Sequence, residues 1–169
     1  MIVVRLTKSF MVAALAGFAL LVAYNNVADW GANYVFVQHV LSMDTTFPGN
    51  PLIGRAITDP ALWRTAYVAI IAAEAVVGIV LGSAALRMLL ALRDEDRFAG
   101  AKTWAVAGVG LGFALWFFGF MVVGGEYFQM WQSSTWNGQE SAFRFYMTML
   151  AVVIFVSLPE PDQGTASLR

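Results

Sequence analysis

Hydrophobic and polar positions alternate along this chain in long blocks, and the blocks are the length of membrane spans. A hydrocarbon layer of about 30 Å is crossed by roughly 20 apolar residues rising about 1.5 Å each. Residues 10–28, 62–86 and 104–123 meet that length, and residues 142–158 come close if flanking polar groups reach the interface. The second run keeps helical character as far as Leu92, and Pro159 stops the fourth because proline cannot extend a helix. The pattern predicts an all-α, four-helix transmembrane bundle over residues 1–158 and a polar tail over 159–169.

The connections carry their own signals. In the long first connection, residues 30–43 are apolar and aromatic without a formal charge, which predicts a short helix lying in the interface. Residues 44–51 are turn-rich, with Asp44 or Thr45 opening a turn that Pro48-Gly49 continues. Asp59-Pro60 reads as the N-cap and first residue of the second spanning helix. Arg93-Asp94-Glu95-Asp96-Arg97 reads as a mixed-charge turn between the second and third.

The placement of cations gives the orientation. Arg5 and Lys8 precede the first span, and Arg87, Arg93, Arg97 and Lys102 surround the second connection. The first and third connections hold only Arg55, Arg64 and Arg144. The positive-inside rule then puts both termini and the second connection in the cytoplasm, with the first and third connections outside. The basic start followed by an apolar run resembles a signal peptide, but Val22-Ala23-Tyr24-Asn25-Asn26 offers no small-residue cleavage pattern, so a retained anchor helix is expected. Trp30, Trp63, Trp104, Trp131 and Trp136 fall near helix ends, where an indole with one wet N–H is at home.

Composition agrees and narrows the chemistry. The chain is 59% hydrophobic and 12% charged, far from the roughly 25% charge of soluble domains. A net charge of −1 gives nucleic acid nothing to bind, and zero cysteines exclude thiolate catalysis and Cys-ligated metal. No nucleophile triad or phosphate loop is present, so no enzyme activity, metal or cofactor is expected.

Glu74 is the first candidate for function, because a carboxyl group in hydrocarbon must be protonated or face protein or water. Glu74, Gly78 and Gly82 are spaced by four and share a helix face, and the glycines admit a close neighbour. Gly108 and Gly112 repeat the device in the third span, and Trp116, Gly119 and Glu126 continue its stripe. Antiparallel packing of these two faces predicts a narrow polar seam, with Glu74 level with Trp116 and Glu126 at the outer mouth. Helix-bonding glue is the simplest role for Glu74; proton or ion handling, and contact with a partner or a quinone, are the others.

The outer segment Gly124–Glu140 is dense in aromatic, amide and acid groups. It reads as an interfacial belt or as a partner surface built on Tyr127, Trp131, Trp136 and Glu140. Arg144 lies i+4 from Glu140 in the favourable order, and Glu126 is its other candidate partner. His39, the single histidine, suits a structural role better than ligation.

Residues 36–49 (FVQHVLSMDTTFPG) and 124–140 (GGEYFQMWQSSTWNGQE), with Arg55-Ala56-Ile57-Thr58 and the basic start Arg5-Leu6-Thr7-Lys8, resemble the bacterial family of predicted small integral membrane proteins, the domain-of-unknown-function family 2165. The resemblance covers nearly the whole chain and implies a four-helix inner-membrane protein, with no activity, ligand or catalytic residue to carry over.

The expected function is a non-catalytic accessory or structural membrane protein. Its partners are the lipid bilayer and another membrane component, either a membrane protein or a second copy. The alternatives are a small transporter or proton-coupled carrier using Glu74 and Glu126, and a quinone- or haem-linked respiratory subunit with His39 as the one nitrogen ligand.

Overall fold

The computed structural model describes residues 2–160; the polar tail expected beyond them lies outside the described residues. Five helices follow one another: α1 (Ile2–Ala28), α2 (Trp30–Ser42), α3 (Pro60–Leu90), α4 (Glu95–Tyr127) and α5 (Gln139–Ser157). Four of them, all but α2, are long and apolar enough to cross a membrane. The described residues contain no strand.

Local chemistry sets the helix ends. The Asp59 carboxylate accepts from Ala61 N–H and Pro60 occupies the first turn, so α3 starts where an N-cap and a proline foretell it. Asp94 accepts from Arg97 N–H and starts α4 at once. The expected mixed-charge turn is therefore shorter, and Glu95-Asp96-Arg97 are helical. α2 ends on Met43, which adopts the left-handed conformation at φ 55° and is buried.

α1 packs along α3, α3 along the first part of α4, and α4 along α5. The core between them holds many small and medium residues, among them Ala16 and Ala19 of α1, Leu81 and Ala84 of α3, Ala105 of α4 and Met149 of α5, with Phe98, Trp116 and Tyr146 as its large members. Alanine at these positions lets the backbones approach, which is how helices associate where burial from lipid supplies little driving force. Ile79, Leu90, Phe118 and Ile154 stay exposed on the outer faces, as a bilayer-facing surface requires.

α4 changes form along its length. Glu95–Phe113 is α-helical, but Ala114–Tyr127 is a π-helix of 14 residues, closing with Phe128 N–H bonded to the Val123 carbonyl five residues back. Most π-helices are single-turn bulges, and they gather at functional sites. The wider turn moves successive residues to a different face from the one an α-helical spacing gives. This segment packs on α5 and barely touches α3.

The two ends of the bundle differ. At one, the basic end, Arg5 and Lys8 are buried within α1 rather than lying free ahead of it. Arg5 donates to the Leu92 carbonyl just past the end of α3 (2.9 Å) and lies 3.6 Å from Glu95. Lys8 donates to the Leu158 carbonyl at the end of α5 and pairs with Glu160 at 2.7 Å. Lys102 reaches the same carboxylate at 3.2 Å. Two cations of α1 thus meet the carbonyl-rich C-terminal ends of both helices that descend beside it, the favourable sign for a helix dipole.

At the other, aromatic, end α3 runs past α1. Its 31 residues measure about 46 Å, more than the roughly 30 Å of hydrocarbon. The surplus first turns pack on α2, where Tyr67 meets Trp30 edge-on at 4.7 Å. A second, smaller core of Val40, Met43, Phe128 and Met130 joins α2 to both loops. Trp63 Nε1–H donates to the Ile57 carbonyl at 2.7 Å, and Phe47 N–H donates to Gln132 Oε1 at 2.8 Å.

Candidate functional site

Asn26, near the end of α1, holds three helices together. Its Nδ2 donates to Glu74 Oε2 of α3 at 2.8 Å, and its Oδ1 accepts from Asn33 Nδ2 of α2 at 2.6 Å. Its main-chain carbonyl, one of the four that α1 leaves without an internal partner, accepts from the Tyr67 hydroxyl at 3.0 Å. Glu74 and Tyr67 lie seven residues apart, two turns along one face of α3. They are 2% and 1% exposed, and Asn26 is 5% exposed. Satisfying these groups is what permits their burial, since an unpaired polar group in an apolar interior costs roughly 2–7 kcal/mol.

This network lines a cavity of about 510 Å³ at the aromatic end. Phe36 of α2 and Trp116, Phe120 and Phe145 of α4 and α5 supply apolar walls, and Trp136 and Asn137 of the last loop lie over it. Trp116 is buried against Phe18 and Phe145, each ring centroid 5.8 Å away. Trp136 is held by stacking on His39, centroids 4.6 Å apart and planes 16° apart, while His39 Nδ1 is engaged by Asp44 at 2.8 Å. Asn25, Asn137 and Ser141 at the rim are exposed.

Among the described residues the lining contains no lysine, arginine or histidine. Among the described residues Asn26 is the one donor that reaches the Glu74 carboxyl group. The cavity therefore offers acceptors deep inside, amides and hydroxyls at the rim, and aromatic faces between. Below Glu74 the helices close: Val77, Gly78, Leu81 and the facing Ala16 and Ala19 are all buried.

Glu74, Trp116 and Trp136 therefore come together, with Glu74 and Trp116 facing one space as an antiparallel arrangement predicts. The expected glycine seam between the second and third spans does not form. Gly78 and Gly82 face Leu20 and Ala16 of α1, Gly108 faces Leu81 of α3, and Gly112 faces Met149 of α5. Gly119 meets no neighbouring helix within 4 Å. The cause of this last departure is the π-helix, which ends the α-helical spacing at Phe113 and turns the later residues off the stripe.

The same shift carries Glu126 out of the site, onto an exposed position where its carbonyl accepts from Gln129. Arg144 pairs with Glu140 on the exposed face of α5, and neither reaches Glu74. The outer aromatics divide as well. Tyr127 lies under the Arg55 guanidinium at 4.8 Å, and Trp131 meets Phe47 edge-on at 5.8 Å, so both pack against the first loop rather than line the cavity.

Asn26, Asn33 and Tyr67 were not singled out by sequence. A signal for two of them existed: Asn26 falls at the level of Glu74 once the first two spans pack antiparallel, and Tyr67 shares the Glu74 face.

Four membrane-length helices with their polar chemistry gathered behind an aromatic end define a small integral membrane protein. The chain belongs to the family of predicted small integral membrane proteins DUF2165, which it matches over residues 4–159. No curated protein and no solved structure matches it.

Proposed function

We propose that the chain is a non-catalytic binding protein of the bacterial inner membrane, holding another membrane component at its aromatic end. In this reading the aromatic end faces outward, and the basic end, with both termini, faces the cytoplasm. The observation that carries the reading is the cavity itself: a prebuilt space with a buried carboxyl at its base, aromatic walls and a polar rim. Ligand sites have this makeup, mostly apolar with a few fixed polar groups.

The test is purification from native membranes in mild detergent, followed by native mass spectrometry and a visible spectrum. A stoichiometric companion retained by the wild type and lost from Trp136→Ala is expected. A wild-type particle that carries nothing, from several membrane sources, overturns the reading.

The buried Glu74 also favours a second reading, a small proton-coupled carrier. The closed layer of Val77, Leu81, Ala16 and Ala19 beneath the carboxyl weighs against it, because a carrier needs a route to the other side. Solute or proton flux in proteoliposomes that disappears with Glu74→Gln would put the carrier first.

A further inference from the structure

The Glu74 cavity has an apolar neighbour. A groove of about 370 Å³ runs between α2, α3 and the π segment of α4, and all its lining side chains are apolar. Cavity and groove share Phe36, Val37, Ile70 and Phe120, so the polar space and the apolar one adjoin along these four residues. The groove exists because small residues line it, Ala66 and Ala69 on α3 and Gly119 and Gly124 on α4, where the π segment diverges from α3. Ala69 and Phe118 are exposed on the bilayer-facing surface, so the groove is open to lipid chains.

Resting on the binding reading above, we infer that the occupant is an amphiphile with a compact ammonium head, seated against Glu74 with its apolar chain in the groove. Three features select this chemistry. The Glu74 carboxyl group, 2% exposed, has one donor and no cation, so a positive head completes it. Among the described residues the lining holds no lysine, arginine or histidine, so a phosphate, sulfate or carboxylate head would find no cation there and would face the Glu74 carboxyl group. Trp116, Phe120 and Phe145 line the same space, and aromatic rings attract a desolvated cation. The chain needs no polar contact, and the groove provides none.

The experiment uses the full-length protein in phosphocholine nanodiscs, with bound probe counted by native mass spectrometry. The probes are dodecylammonium, dodecanol, dodecanoate and butylammonium. Dodecylammonium is expected to bind at one per protein and at least tenfold more tightly than dodecanol or dodecanoate. Glu74→Gln should reduce it to the level of dodecanol. Gly119→Leu should fill part of the groove that Gly119 lines, and its Cβ would meet nothing nearer than 3.9 Å. That variant should weaken dodecylammonium at least fivefold and leave butylammonium unchanged, so the inference stays open to test even if Glu74→Gln fails to fold. Dodecanol or dodecanoate binding as tightly as dodecylammonium overturns the inference, as does a Gly119→Leu variant that binds dodecylammonium like the wild type. A native companion that none of the probes displaces overturns the ammonium head but leaves the binding reading standing. Absence of both companion and probe overturns the two together.

Discussion

Gly78 and Gly82 form a Gly-x-x-x-Gly pair that looks symmetric in sequence and is not in space. A Cβ built on Gly78 would lie 2.6 Å from the Leu20 side chain and 3.1 Å from the Leu20 main-chain nitrogen. A Cβ on Gly82 would meet the Ala16 Cβ at 3.8 Å, an ordinary contact. Gly78→Ala must therefore move Leu20 and separate α1 from α3, and overpacking of this kind costs about 1–3 kcal/mol. Alanine regains about 0.5–1 kcal/mol of helix propensity over glycine, so the net loss is about 0–2.5 kcal/mol. Gly82→Ala keeps the propensity gain without the clash and should be neutral or slightly stabilising. Asn26 and Glu74 lie one to two turns above this contact, so the Gly78 variant should also loosen their hydrogen bond and weaken ligand retention. Reversible unfolding in mixed micelles with increasing dodecyl sulfate, read by Trp fluorescence, gives both stabilities on one scale. Equal effects at the two glycines, or a more stable Gly78→Ala, would refute the close approach of α1 and α3.

Three further outcomes follow from the two ends of the bundle. Lys8→Met removes a charged donor from the Leu158 carbonyl and from Glu160, and should cost about 1.5–3 kcal/mol in the same unfolding assay. Burial pushes the Glu160 carboxyl up, but hydrogen bonds from Lys8 and Lys102 and their charges outweigh it and hold the group below the usual carboxylate range. Its contribution is thus present above an unfolded-state value near about 4.3 and lost as pH falls through the folded-state value; thermal melts between neutral and acidic pH should show this acid-side loss in the wild type and not in Glu160→Gln. Arg144→Gln should change stability by less than about 0.5 kcal/mol, because Arg144 and Glu140 are 66% and 81% exposed; a larger loss would place Arg144 in a contact beyond that pair.

What sequence could foresee divides along physical lines. Span number and the Asp59-Pro60 start depend on local composition and capping, and both were legible. The depth match of Glu74 and Trp116 followed from antiparallel counting, because α4 is still α-helical up to Phe113. Glu126 and Gly119 were misplaced because counting by fours continued through a segment whose hydrogen bonds run i to i+5, and no residue in Ala114–Tyr127 announces that change. Arg5 and Lys8 read as charges outside the membrane because the partners that bury them, Leu92, Leu158 and Glu160, are distant in sequence. Asn26 was passed over for a related reason: an asparagine near a helix end is unremarkable until α2 and α3 close around it.

The capping of α3 and α5 by cations of α1 has a consequence for biogenesis. α1 is synthesised before the other described helices, yet its Arg5 and Lys8 meet carbonyls that lie 87 and 150 residues further on. Until those residues emerge, both cations must keep their heads in water at the same membrane surface, which holds α1 at fixed depth while the rest is inserted. Lys8 loses its water last, when the end of α5 arrives, so the burial of one lysine marks the moment at which all four described membrane-length helices have been made.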